Sequence, residues 1–271
     1  MASQIPIIDS HIHLYPQSEV TTLAWHHPDH PLAHQHSIDE FRLATTSPSS
    51  STHLSGFIFV ETDRKNSNSA DWTAPLQEVA WMRRLATGQP NPGEGHSADD
   101  AKLCLGFVPW APMTLGPEQL GKYLEAAEKE AGPVAWGKVK GFRYLLQDKP
   151  NGVGLGDGFI ESLKVLGRKG YVFDVGVDQH RRGRIQLEEA VEMIDRAHDG
   201  VAEEEKVVFI LSECCVRPCG VAGSLVLMTM LDHLCKPDLT ILNQTDPSFI
   251  AWYVCLGLTT LPSYLSFGCC D

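Results

Sequence analysis

Short, nearly unbroken apolar runs alternate in this chain with longer segments whose apolar residues recur at helical spacing, and this alternation restricts the fold more than any other feature. Ile5 to Asp9, Gly56 to Glu61, Leu103 to Val108, Val139 to Tyr144, Tyr171 to Val177 and Val207 to Leu211 read as six strands. Between them, Leu76, Val79, Ala80 and Arg83 mark a helix that stops at Gly88. A second helix carries Leu120, Tyr123, Leu124, Ala127 and Ala131, opens on Pro117 and ends at Gly132. Phe159, Ile160, Leu163 and Leu166 form a third apolar stripe, and Leu187, Ala190, Val191, Ile194 and Ala197 a fourth. Strands that are apolar on both faces suit a parallel sheet covered on both sides, and repeated strand-helix units make an α/β domain. Either a closed barrel or an open doubly wound sheet would satisfy this pattern. No Gly-x-Gly-x-x-Gly follows the first strand, so the dinucleotide-binding reading lacks its signature. His11, His13, Glu61, Arg143 and His180 fall at the C-terminal ends of several different strands. A barrel gathers such residues into one mouth, whereas an open sheet gathers them only at its switch point.

The first strand runs into Asp9-Ser10-His11-Ile12-His13. Residues two apart on a strand share a face, so the two imidazoles are expected side by side, with Asp9 just upstream. Two imidazoles converging at a strand end can ligate a divalent metal or polarise a carbonyl without one; the alternative is a pair of surface histidines.

This segment resembles the first strand of the amidohydrolase superfamily. Lys140 to Asp148 is similar to the fourth strand of its amidohydrolase-2 branch, Phe173 to His180 to the fifth, and Asp232-His233-Leu234-Cys235-Lys236-Pro237 to the end of the sixth. Within that branch the chain resembles the fungal L-rhamnono-gamma-lactonase-like group, over roughly Ile5 to Leu211 and Asp232 to Trp252. The resemblance implies a TIM-like (β/α)8 barrel, of which about six strand-helix units are represented. It implies a hydrolase that opens a sugar lactone, a small-molecule substrate, by water attack at the ester carbonyl. A metal-dependent decarboxylase of the same superfamily is the alternative, and a catalytically inactive barrel fragment is another. In related amidohydrolases the positions of His11, His13 and His180 hold one divalent metal, zinc in the first instance. In the sugar-lactonase branch the metal is not always required. His233 is implied as a fourth inner histidine. An eighth-strand aspartate is the family's general base, and no counterpart stands in this sequence.

Other candidates rest on residue type. Arg143 can anchor a substrate oxygen through its planar fork, or form a salt bridge at the rim. Trp110 can wall a sugar ring or pack in the core. Lys236 can reach the mouth or lie on the surface. The run His26-His27-Pro28-Asp29-His30, with His34 and His36, reads as a long loop lining the mouth rather than a metal cluster. Arg181 to Arg184 reads as a solvated loop rather than an anion site. Cys215 and Cys219 have the spacing of half a zinc site, but no second half accompanies them.

Composition narrows the partners. A net charge of −12 argues against a nucleic-acid or anionic-membrane surface. No apolar run reaches the ~20 residues of a membrane helix, and no secretory signal opens the chain, so the expected compartment is the cytosol. Of the eight cysteines, six lie in two short stretches near the C-terminus. Residues 212–231 and 253–271 are almost devoid of charge and depart from the pattern of the rest. They are read as an atypical insert and an atypical tail to a single incomplete barrel over 1–252, arising from translated non-coding sequence; a genuine insertion is the alternative.

Overall fold

The computed structural model describes residues 5–46, 52–66, 71–178 and 182–212. Six parallel strands lie side by side in chain order: β1 (Ile5–Ile12), β2 (Thr52–Val60), β3 (Cys104–Val108), β4 (Gly141–Arg143), β5 (Val172–Gly176) and β6 (Val208–Ser212). They form two three-stranded sheets, β1-β2-β3 and β4-β5-β6. Parallel bridges from Phe107 to Val139 and from Trp110 to Arg143 join the sheets at the β3–β4 seam. Strand order therefore never reverses among the described strands, and no switch point of the doubly wound kind arises.

Among the described residues five α-helices accompany the strands: α1 (Ile38–Thr45), α2 (Thr73–Thr87), α3 (Gly116–Trp136), α4 (Asp157–Arg168) and α5 (Arg184–His198). From α2 to α5 each packs on the next, which is what crossovers of one hand produce when strands follow in order. The core lies where the helical stripes meet the strands. Leu120, Tyr123, Ala127, Phe159, Leu163, Leu166, Phe142 and Phe173 are buried there. Ile7 on β1 and Val208 on β6, the outermost described strands, remain 44% and 47% exposed.

Three local features differ from the sequence reading. Helix α2 buries Glu78, Val79, Met82, Leu85 and Ala86, while Arg83 faces outward toward Glu130. The reading missed this rotation because Glu78 is a charged residue on the buried face. Helix α3 does not end at Gly132. That glycine takes φ 66° and ψ 171°, and the chain resumes one further turn from Pro133 to Trp136. Proline is well suited to restart a helix there, because its missing N–H is not needed in a first turn. Helix α1 was not anticipated, although its N-terminus is signalled by Ser37 and Glu40. The Glu40 carboxylate accepts the Ser37 backbone N–H at 2.8 Å, half of a capping box.

The β4–β5 pairing depends on a glycine. Gly141 stands in register with Val172, and a Cβ at that position would land on the Val172 carbonyl and side chain. Gly141→Ala should therefore destabilise the fold by about 1–3 kcal/mol, the usual range for overpacking, lowering the urea midpoint without changing the slope. An unchanged midpoint would mean that β4 does not approach β5 this closely.

Candidate active site

The C-terminal end of β1 is irregular. Asp9 pairs with Phe57 and Ile12 with Phe59, so three steps of β1 match two of β2. Such a bulge redirects side chains and releases a backbone N–H. Asp9 takes up that donor: its Oδ1 accepts from the His11 N–H at 3.2 Å. Burial pushes the Asp9 carboxyl above its ordinary range.

Beyond the bulge, His11 and His13 meet. Their Nε2 atoms lie 3.3 Å apart, with the rings edge-on at 86°. His13 Nδ1 is 3.0 Å from the Val60 carbonyl oxygen. A carbonyl only accepts, so Nδ1 carries the proton and the Nε2 lone pair of His13 points at its neighbour. The expectation that the two imidazoles stand side by side describes this pair, and its orientation comes from β2.

The end of β2 holds a second group of polar residues. Glu61 is fully buried and Arg143 almost so. Arg143 Nε donates to Glu61 Oε1 at 2.7 Å and Nη2 to the Glu61 carbonyl at 2.8 Å. The other carboxylate oxygen of Glu61 accepts the Asp63 N–H at 2.5 Å. Arg143 thus sits at the strand end, where the sequence places it, and is oriented by Glu61. Trp110 is 5% exposed and packs edge-on against Tyr123, with Tyr144 on another side.

Two residues further on, Asp63 adopts φ 54°, the only non-glycine with positive φ among the described residues. The next residue, Arg64, is buried. Its guanidinium reaches Glu19 at 3.0 Å, Glu78 at 3.2 Å, Thr62 Oγ1 at 2.9 Å and Thr22 Oγ1 at 2.5 Å. Arg84 extends this network, pairing with Glu19 at 2.7 Å and with Glu94 at 2.8 Å. These charges pin the segment after β1, the turn after β2 and helix α2 to one another. The sequence reading placed Glu61 at a strand end but passed over Asp63 and Arg64. The available signal was the run Glu61-Thr62-Asp63-Arg64 directly after an apolar strand.

The histidine-rich segment after β1 is a loop, as expected. Along it Tyr15 meets Trp25 edge-on, and Tyr15 with His36, Trp25 with His30 and His34 with His36 meet at tilted angles. Burial and the neighbouring His34 lower the His36 pKa. Among the described residues no three His, Cys, Asp or Glu side chains gather as a metal set. His180, His233, Lys236, Cys215 and Cys219 lie outside the described residues, as does residue 181 of the arginine run. No helix of the described residues is long and apolar enough to cross a membrane.

No family model matches the chain. It is 29% identical over 276 residues to the L-rhamnono-gamma-lactonase of Scheffersomyces stipitis, an alignment spanning 98% of this chain and 73% of that protein. Solved structures similar to it include an amidohydrolase 2 from Bifidobacterium longum subsp. infantis, with TM-score 0.47, 16% identity, and coverage of 77% of this chain and 61% of that one. An amidohydrolase from Burkholderia multivorans with bound zinc has TM-score 0.49, 20% identity, and coverage of 86% and 65%. The chain thus spans less than two thirds of either solved structure. The chain is similar in sequence to a protein named L-rhamnono-gamma-lactonase, and the two solved structures above are named amidohydrolases.

Two outcomes follow from the charges beside β2. Arg64→Ala would leave Glu78 buried without its cation, and breaking a buried pair in this way costs about 3–5 kcal/mol; chemical denaturation should register that loss. Burial, then the Glu61 charge, push the Asp63 carboxyl from 3.8 up to about 6, with Lys149 and Arg143 opposing. Its folded value lies above its unfolded one, so the ionised group weakens the fold above pH 6 and is neutral in both states below about 4. Asp63→Asn should therefore melt higher than the parent at pH 8. The gap should hold down to pH 6 and close between pH 6 and 4. A gap independent of pH would show that Asp63 titrates normally.

Proposed function

We propose that this chain is a hydrolase of the amidohydrolase-2 type that opens a sugar lactone, L-rhamnono-gamma-lactone or a related aldono-lactone, by water attack on the ester carbonyl. The observation that carries this reading is the His11–His13 pair, oriented by the Val60 carbonyl, in a chain that resembles a lactonase along nearly all of its length. On the same reading the six strands are part of a TIM-like barrel over 1–252, interrupted at 212–231 and followed by a tail at 253–271. His180 and His233 would complete the inner imidazoles, and Arg143, Trp110 and Lys236 would lie on the substrate side.

The pair suits a divalent metal. Two nitrogens bound to one tetrahedral ion at about 2.1 Å stand about 3.4 Å apart, and the two Nε2 atoms are 3.3 Å apart. His11 and His13 would hold the ion, with His180 as the third ligand and zinc as the first choice of metal. Such an ion supplies Lewis acidity at the carbonyl and lowers the pKa of water to about 7. The chain's own residues contribute orientation. Val60 fixes the His13 tautomer and leaves Nε2 as a donor of electrons, the arrangement that makes imidazole a ligand. Asp9 holds the backbone of the bulge that presents both rings. Glu61 holds the Arg143 fork in one plane, ready to meet a polarised oxygen.

The test is hydrolysis of a panel of aldono-lactones by the full chain, followed as acid release, with and without a chelator. Turnover should be lost with the chelator and return with zinc. His13→Ala should lower kcat/KM by about 10²-fold or more, near 2.7 kcal/mol. Activity that survives the chelator but not His13→Ala would mean that the imidazoles act on the carbonyl without a metal. Carbon dioxide release from aromatic or unsaturated acids, with no lactone opened, would favour a decarboxylase. Failure of both assays would overturn the reading.

A further inference from the structure

The turn after β2 is held by several hydrogen bonds, yet among the described residues none donates to the carboxylate at its apex. The Asp63 carbonyl accepts the Ala24 N–H at 2.7 Å, and the Lys65 N–H donates to Thr22 O at 2.7 Å. Leu23 and Arg64 pair as an antiparallel bridge. The Trp25 indole N–H donates to the Thr62 carbonyl at 3.0 Å. Beneath the turn, Arg64 is anchored by Glu19, Glu78, Thr22 and Thr62. Glu61, Thr62 and Arg64 are buried, whereas Asp63 between them is partly exposed. Its carboxylate oxygens accept no hydrogen bond from the described residues.

Glycine is the residue that suits φ 54° at no steric cost. An aspartate there is tolerated when its side chain bonds the local backbone, and this one does not. Left-handed residues that persist because their surroundings over-determine them cluster at ligand clamps and active sites. Asp63 has both marks. It also lies just past the C-terminal end of β2, beside the ends of the strands that carry His11 and His13 on one side and Arg143 on the other, since His13 bonds the carbonyl of Val60, three residues before it, and Arg143 pairs with Glu61, two before it.

We propose that Asp63 is a substrate-contacting residue, whose carboxyl hydrogen-bonds the ring or side-chain hydroxyls of a polyhydroxylated substrate. The inference rests on the lactone reading for the position of the substrate. A hydroxyl is both donor and acceptor. A carboxyl poised near half-protonation in mildly acidic solution offers the same two roles. The charged groups that face Asp63 are Glu61 just after β2, Arg143 on β4, and Asp148 and Lys149 in the loop after β4. Lys149 lies over the Tyr144 ring at 5.8 Å, which places a cation near the carboxyl on that side. Specificity for hydroxylated over bare lactone rings would then come from this position, while the reacting carbonyl is handled at the histidines.

The experiment compares the full chain with Asp63→Gly and Asp63→Asn on a hydroxylated aldono-lactone and on an unsubstituted lactone of the same ring size. Asp63→Gly removes the carboxyl and suits the left-handed backbone, so it should melt no lower than the parent. It should raise KM for the hydroxylated lactone roughly 10- to 100-fold, the span of a hydrogen bond to a charged group. For the bare lactone, which offers no ring hydroxyl to the carboxyl, kcat/KM should change less than about threefold, because no substrate contact is removed. A fold that survives with unchanged preference between the two substrates would overturn the inference while leaving the lactone reading intact. If the parent opens no lactone, the lactone reading fails, and calorimetric binding of aldonic acids and sugar alcohols decides the role of Asp63. Binding that weakens tenfold or more in both variants would sustain it; equal binding, or none by the parent, would overturn it.

Discussion

The ion pair between Glu61 and Arg143 joins the two halves of the described structure. The hydrogen-bonded seam between β3 and β4 is short, and β4 itself comprises three residues. Across that seam Arg143 reaches past β3 to the end of β2, where Nε and Nη2 meet the Glu61 carboxylate and carbonyl. Burying two charges costs several kcal/mol per ion and is recovered only when geometry is good and the remaining hydrogen-bonding positions are filled. Here the second oxygen of Glu61 caps the Asp63 N–H. The pair therefore sets the relative placement of two strand ends and the start of the turn that follows one of them. The His13 ring is referred to the same strand end through Val60.

A second charged layer supports the first. Arg64, Glu78 and Glu19 are almost wholly shielded from solvent, and Arg84 and Glu94 continue the chain outward. Each acid has a basic partner and each guanidinium has several acceptors, the condition under which buried ions specify an arrangement rather than disrupt it. The layer holds the segment after β1 against the turn after β2. The aromatic cluster of Tyr15, Trp25 and His36 lies along that same segment. Rigid packing under a polar rim gives a site its geometry.

How much of this was legible in the sequence depends on the range of the interaction. The α4 stripe of Phe159, Ile160, Leu163 and Leu166 is buried as its spacing indicates, because helical periodicity is a local property. Gly88 ends α2 in the left-handed conformation, at φ 62°, as a glycine after a helical run suggests. The His11–His13 pair was visible for the same reason: two residues separated by one are close in any strand. Glu78 was not visible as a core residue. Its cation, Arg64, is 14 residues away in the chain, and nothing in the helix itself distinguishes a buried glutamate from a solvated one. Arg143 could be read as a rim cation, but Glu61 is 82 residues distant.

The sequence by itself determined the α/β alternation, four of the six strands within a residue or two and the place of the other two, β1 running three residues further and β2 starting four residues earlier than read, the apolar faces of α3, α4 and α5, and the position of two imidazoles at the first strand end. These follow from backbone periodicity and from the hydrophobic effect acting on short segments. The tertiary structure alone decided the bulge that turns His11 and His13 toward each other, the tautomer of His13, the partner of Arg143, and the left-handed turn at Asp63. Each depends on a group from another strand or loop, brought within hydrogen-bonding range only when the sheet forms. Directional contacts between distant segments leave no periodic trace, so they are absent from the pattern of residues and present only in the fold.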